Sequence, residues 1–62
     1  MEAYVNLGML YKRTGDYARS QANFEAFLAK ASPQKERGSI LRVRKELADV
    51  IEKQQLSLSR PK

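Results

Sequence analysis

The sequence predicts an all-α fold, in which a tight antiparallel helix-turn-helix hairpin is followed by a longer third helix. Apolar residues recur at three- and four-residue spacings in three separate segments, which is the pattern of helices with one buried face. Thr14-Gly15-Asp16 interrupts this pattern once, and Ser32-Pro33 interrupts it a second time. Both interruptions contain residues that end one helix and begin the next.

The first predicted helix covers residues 3–13. Its apolar face consists of Tyr4, Leu7, Leu10 and Tyr11. Gly8 lies inside this helix, where it costs about 1 kcal/mol relative to alanine, so we expect a facing helix to approach closely there. Gly15 suits the left-handed position that follows a helix, and Asp16 suits the N-cap of the next one. So short a link brings two antiparallel helices into contact.

The second predicted helix covers residues 17–30. Its apolar and small residues surround much of its circumference, as in a helix that is packed on two sides. The third helix is predicted from Pro33 to Gln55, with Ser32 as its N-cap and Pro33 at the first helical position. Gly38-Ser39 is a point at which this helix could weaken or restart. Its apolar stripe consists of Ile40, Val43, Leu47, Val50 and Ile51. Residues 59–62 have nothing to bury and are expected to fray.

Composition limits the possible chemistry. The 62 residues include no cysteine and no histidine, so disulfides and the usual zinc sites are excluded. No glycine-rich phosphate loop occurs, and the seven carboxylates are scattered over faces predicted to be exposed. We therefore expect no enzyme, no metal and no cofactor. No apolar run approaches the roughly 20 residues of a membrane span, and no secretion-signal pattern opens the chain, so a cytoplasmic protein without membrane contact is expected.

The net charge of +5 lies mostly in residues 32–62, which hold eight basic and four acidic side chains. Arg42, Arg44 and Lys45 form a basic patch that could bind nucleic acid or an acidic protein. Acidic residues lie four positions from Arg42, Lys45 and Lys53, which is instead typical of a solvated face with salt bridges. No aromatic residue is interleaved there to stack on bases. Nucleic-acid binding is therefore kept only as the alternative.

One set of residues between positions 4 and 33 carries a family resemblance. The set comprises Tyr4, Leu7-Gly8, Tyr11, Gly15-Asp16-Tyr17, Phe24 and Pro33. Their order and spacing resemble the tetratricopeptide repeat, a helix-turn-helix unit of about 34 residues. Ser20 and Phe27 replace small residues of the family pattern, and Arg19 replaces the glutamate of a capping box. We expect the ring of Phe27 to push the third helix away or to change its angle.

The resemblance implies a single repeat over residues 1–33, a capping helix over residues 34–58 and a flexible tail over residues 59–62. Such a unit would be the terminal repeat of an array, and isolated repeats need a neighbour to cover their stacking edge. That edge corresponds to Ala3, Leu7 and Leu10. We expect a second copy of the chain to cover it, which would make the protein a homo-oligomer.

The resemblance also implies where a ligand lies, because tetratricopeptide repeats bind protein or peptide ligands on the concave surface of their first helices. The corresponding residues are Glu2, Val5, Asn6, Met9, Lys12 and Arg13. Only Asn6 fits the clamp with which some family members hold a C-terminal carboxylate. Val5 and Met9 suit an apolar or helical peptide better. The sequence therefore predicts a protein–protein interaction module, with the basic third helix, binding nucleic acid or an acidic partner, as the alternative.

Overall fold

The computed structural model of the protein describes residues 2–59, with the side chains of residues 3–58. This part of the chain forms three α-helices and no strand: α1 at Glu2–Thr14, α2 at Tyr17–Lys30 and α3 at Arg37–Ser59. α2 packs against both other helices, whereas α1 and α3 meet at few points. The predicted all-α hairpin with a longer third helix is confirmed.

The turn between α1 and α2 uses the predicted residues. Gly15 has a φ of +88°, its N–H donates to the carbonyl of Lys12 at 3.2 Å, and the N–H of Asp16 donates to the carbonyl of Tyr11 at 2.8 Å. This pair of bonds is the Schellman motif that closes a helix. The carboxylate of Asp16 accepts the backbone N–H of Arg19 at 3.3 Å and so caps α2. One short turn therefore ends α1 and begins α2.

Arg19 compensates in part for the missing capping-box glutamate. Its guanidinium lies 3.5 Å from the carboxylate of Asp16 and 5.8 Å from the centre of the Tyr11 ring. The first contact is an ion pair across the first turn of α2, and the second is a cation–π contact with α1. Arg19 therefore links the two helices at their connected ends.

α1 and α2 approach each other closely at Gly8. A Cβ atom at this position would lie only 2.5 Å from a ring carbon of Phe24, whose side chain is fully buried. The buried hydroxyl of Ser20 donates to the carbonyl of Gly8 at 2.6 Å. The close helix contact expected at Gly8 is confirmed. Ser20 keeps the position small and adds a hydrogen bond that alanine could not make.

The predicted start of α3 at Pro33 is wrong, because the helix begins four residues later, at Arg37. The carbonyl of Ser32 accepts the N–H of Glu36 at 2.8 Å, and the carboxylate of Glu36 accepts the N–H of Ser32 at 3.1 Å. These two bonds close a separate turn that contains Pro33. The first carbonyl to bond into α3 belongs to Glu36, which accepts the N–H of Ile40 at 2.8 Å.

The end of α3 is also later than predicted, at Ser59 instead of Gln55. No glycine or proline occurs between residues 40 and 59, so nothing in the sequence stops the helix earlier. Of the tail expected to fray, only Ser59 belongs to the described residues. Residues 60–62 lie outside them.

The core lies along α2 and the inner face of α3. Its buried members are Phe24, Phe27, Ile40, Val43 and Val50. Partly buried side chains pack around them, among them Tyr4, Met9, Tyr17, Leu28 and Leu47. The stripe predicted for α3 is therefore its packed face. No helix within residues 2–59 combines the length and the apolar character that crossing a membrane requires.

The three helices form a long and narrow body. It measures 44 × 16 × 15 Å, and its radius of gyration of 12.0 Å exceeds the roughly 11 Å of a compact chain of this length. A body this narrow buries few side chains completely and leaves much of each helix at the surface. Its candidate binding sites are consequently helix faces and the grooves between helices.

Candidate interaction surfaces

The predicted self-association edge lies on the outside of α1. Ala3, Leu7 and Leu10 are all exposed, Leu7 to 40% and Leu10 to 47%. They are spaced by four and three residues, so they form one row along the helix. A large part of each leucine therefore stays open within the described chain. We call these three residues the α1 edge.

A groove of about 360 Å³ separates α1 from α3, and we call it the α1–α3 groove. It is lined by Val5 and Asn6 of α1, Phe27 of α2, and Ser39, Arg42 and Val43 of α3. Phe27 is only 2% exposed and belongs to the helix that lies between the other two. That this ring pushes the third helix away or changes its angle stays a prediction.

The residues predicted for the concave face do not all reach this groove. Val5 and Asn6 line it. Met9 packs against the core and is partly buried. Arg13 is exposed and does not line the groove, and the side chain of Glu2 lies outside the described part of the structure. Of the predicted concave-face residues whose side chains are described, only Val5 and Asn6, in the first half of α1, therefore line the groove.

Lys12, the remaining predicted concave-face residue, joins α1 to α3. Its Nζ forms ion pairs with Glu46 and, at 2.9 Å, with Asp49. Lys53 also approaches Asp49, at 3.4 Å. The hydrogen bonds to Glu46 and Asp49 raise the pKa of Lys12 above its ordinary value of 10.5. The hydrogen bond from Lys12 is the main cause that lowers the pKa of Asp49 below 3.8.

This bridge predicts a defined pH dependence of stability. Because the pKa of Asp49 is lowered, its contribution is complete above pH 3.8 and is lost as the pH falls through the lowered value. Because the pKa of Lys12 is raised, its contribution is complete below pH 10.5 and is lost as the pH rises through the raised value. We expect Lys12→Gln to lower the melting temperature by a few degrees near neutral pH, and by less outside this window.

Lys45→Gln is the matched control, because it removes the same charge from an exposed lysine that has no ion pair with the described side chains of residues 3–58. Thermal melts of both variants from acid to alkaline pH, with and without added NaCl, measure the difference. Salt should reduce the effect of Lys12→Gln, since the bridge is partly exposed. Equal losses in the two variants would contradict the bridge.

The predicted basic patch, Arg42, Arg44 and Lys45, is exposed. None of the three side chains forms an ion pair with another side chain of residues 3–58, and the carboxylates expected to pair with two of them bind Lys12 of α1 instead. Arg42 lines the α1–α3 groove, whereas Arg44 lines a different groove, described next. The three residues are therefore distributed around α3.

A larger groove of about 660 Å³ lies between α2 and α3, and no residue of α1 lines it. Sequence reasoning missed this α2–α3 groove. Its lining includes Leu28, Pro33, Arg37, Ile40, Leu41 and Arg44. Leu41 is 60% exposed and lies outside the apolar stripe of α3. A leucine outside the packed stripe is the signal in the sequence that could have indicated a second apolar surface.

The α1 edge and the α2–α3 groove are apolar surfaces with polar margins, whereas the lining of the α1–α3 groove is more polar than apolar. Surfaces of both kinds suit contact with another polypeptide. Within residues 2–59, no group of three or more Asp or Glu side chains is placed to hold a metal ion. Comparison with protein-family models, with curated proteins and with solved structures gives no match to this chain.

Proposed function

We propose that the chain is a protein–protein interaction module that acts as a scaffold and associates with a second copy through the α1 edge. The observation that carries the proposal is the asymmetry of the hairpin. α3 covers one flank, whereas Leu7 and Leu10 on the outside of α1 remain 40% and 47% exposed within the described chain. A core of this size supplies only roughly 3–5 kcal/mol, so burial of this row would add appreciably to stability.

The resemblance to a tetratricopeptide repeat supports the same proposal. Lys12 contacts Glu46, which lies 34 positions later in the sequence. Val5 and Ser39 line the same groove at the same separation. An array with a period of about 34 residues places the first helix of the next repeat beside α1 in this way. α3 would then serve as the cap of the array, and the α1 edge as the face for a preceding unit.

In this proposal the α1–α3 groove is the peptide-binding surface. Phe27 and Val43 form its buried floor, and Val5 is a partly exposed apolar side chain in its wall. The polar groups beside it belong to Asn6, Ser39 and Arg42. A peptide that sets an apolar side chain against Val5 and forms hydrogen bonds with these polar groups fits this combination. The side chains that would contact the peptide come from all three helices, so the groove exists only in the folded module.

Sedimentation velocity over a range of protein concentrations tests the association. We expect the unmodified chain to form a dimer or larger assembly as its concentration rises, and Leu7→Gln/Leu10→Gln to remain monomeric. Leu56→Gln/Leu58→Gln is the matched control, because these leucines are exposed to 61% and 82% at the end of α3. The control should associate like the unmodified chain. Circular dichroism should show equal helix content in all three proteins.

Two outcomes would overturn the proposed association. One is a stable monomer at every concentration of the unmodified chain. The other is an assembly that persists in Leu7→Gln/Leu10→Gln but dissociates in Leu56→Gln/Leu58→Gln, which would move the interface to the end of α3.

A second candidate function is an adaptor that binds nucleic acid through α3. The observation in its favour is that Arg42, Arg44 and Lys45 have no carboxylate partner among the described residues. Phosphate contacts by such residues would make binding strongly salt-dependent. Salt-dependent binding of a labelled oligonucleotide that weakens when all three become glutamine would support this candidate over the first.

A further inference from the structure

We infer that the α2–α3 groove binds an acidic amphipathic helix of a partner protein, with apolar side chains in the groove and carboxylates on Arg37 and Arg44. This site is distinct from the α1 edge and from the α1–α3 groove. The inference deepens the proposed interaction function by stating the chemistry of one partner. The α2–α3 groove lies on a different face from the α1 edge, so the inference would still hold if the protein proved to be a monomer.

The groove has the size and the lining of a binding site. Its volume of about 660 Å³ lies within the range of roughly 300–1,000 Å³ that is usual for ligand sites. Ile40 is 8% exposed and forms a firm apolar base, while Leu28 is partly buried and Leu41 is 60% exposed. Leu41 is large, apolar and unprotected. A partner that covers it removes apolar area from water.

The groove is held in shape by the turn before α3. α2 ends at Lys30, Ala31 is extended with a ψ of 142°, and its N–H donates to the carbonyl of Phe27. The reciprocal bonds between Ser32 and Glu36 then close the turn. These bonds set the direction in which α3 leaves α2. The space between the two helices is therefore formed before any partner arrives, which lowers the entropic cost of binding.

The charges around the groove are of one sign. Arg37 and Arg44 are exposed, line the groove and have no ion pair with the side chains of residues 3–58. No acidic side chain among these described residues lines it. The carboxylate of Glu36, the nearest in sequence, accepts a hydrogen bond from Ser32 and lines the α1–α3 groove instead. Charge complementarity therefore selects an acidic partner.

The spacing of the two arginines defines the partner further. Arg37 and Arg44 are seven positions apart on α3, which is a rise of about 10.5 Å along the helix. A partner helix that lies along the groove presents carboxylates at this separation when they are two turns apart. Apolar residues midway between them would then lie over Leu41. Arginine also suits carboxylates because its planar group can form two parallel hydrogen bonds.

The test uses the whole chain and a fluorescein-labelled synthetic helix with two glutamates two turns apart and leucines between them. Fluorescence anisotropy should detect saturable binding. Arg37→Gln/Arg44→Gln should weaken it about tenfold or more, as expected when two charge-assisted contacts are lost. Leu41→Gln should weaken it as well, and this exposed residue can change without loss of the fold.

Lys45→Gln/Lys53→Gln is the control, because it removes the same charge from α3 at two residues that line neither the α2–α3 groove nor the α1–α3 groove. It should bind the peptide as tightly as the unmodified chain. A peptide with glutamine in place of both glutamates should bind about tenfold more weakly or worse. Equal weakening by both double variants would overturn the inference, because attraction would then be only a general charge effect. Equal binding of the glutamine peptide, or no binding at all, would also overturn it.

The same variants distinguish the acidic helix from two other occupants of the groove, a second copy of the chain and nucleic acid. If the groove served a second copy, Arg37→Gln/Arg44→Gln would abolish the assembly in sedimentation experiments, and the peptide inference would fail. If it served nucleic acid, a labelled oligonucleotide would bind more tightly than the peptide, and the inference would also fail. Peptide binding that depends on Arg37 and Arg44, in a protein whose assembly depends on Leu7 and Leu10, would support both proposals.

Discussion

Phe27→Ala is expected to unfold the protein at room temperature. Phe27 is 2% exposed and belongs to the core that α2 shares with α3. Removal of a buried phenylalanine ring costs about 3–5 kcal/mol, which equals the roughly 3–5 kcal/mol that a core of this size supplies. Circular dichroism should show a large loss of helix. The α1–α3 groove, which Phe27 lines, would be lost with the fold.

Phe27→Leu and Leu58→Ala are the two controls for this prediction. The first retains a large apolar side chain, so it should stay folded and melt at a lower temperature than the unmodified chain. The second changes a leucine that is 82% exposed, so it should alter stability by less than about 0.5 kcal/mol. If Phe27→Ala melted within a few degrees of the unmodified chain, Phe27 would not be a core residue.

Gly8→Ala is expected to lower the melting temperature by about 10 °C or more. The new Cβ would lie 2.5–2.9 Å from three ring carbons of Phe24. That ring is fully buried and cannot move without displacing α1 from α2. Overpacking of this kind costs up to about 3 kcal/mol, and the gain in helix propensity of about 1 kcal/mol offsets only part of it.

A double-mutant cycle identifies the cause. Phe24→Leu removes the ring that the new methyl group meets, so Gly8→Ala should cost much less in that background than in the unmodified chain. Gly38→Ala is the matched control, because nothing lies within 4 Å of a Cβ at that helical position. It should leave stability unchanged or raise it slightly. Equal costs of Gly8→Ala in both backgrounds would rule out the contact with Phe24 as the reason.

The hairpin could be predicted from the sequence because its determinants are local. Gly15 and Asp16 act on the backbone within a few residues of themselves. Gly8 in a helix already indicated that another helix comes close. The α1 edge could also be predicted from the sequence, since Leu7 and Leu10 follow the period of their own helix. The position at which α3 starts could not be predicted in this way, because Ser32-Pro33 can open either a helix or a single turn.

The ion pairs could not be predicted in the same way. Helical spacing relates Arg42 and Lys45 to carboxylates of their own helix, and both pairs are plausible at that level. The structure brings Lys12 of α1 to these carboxylates instead. Of the three predicted pairs within α3, the one between Asp49 and Lys53 is present. A spacing rule within one helix contains no information on a neighbouring helix.

The sequence by itself determined the number of helices, the tight turn between the first two and the apolar stripe that α3 packs. These features follow from the period of the helix and from the backbone preferences of glycine, aspartate and proline. Only the tertiary structure decided which charges meet, and that Arg37, Leu41 and Arg44 line one groove with α2. Both depend on how α3 packs against the hairpin after the Ser32–Glu36 turn, and helical spacing within one segment contains no information on that packing.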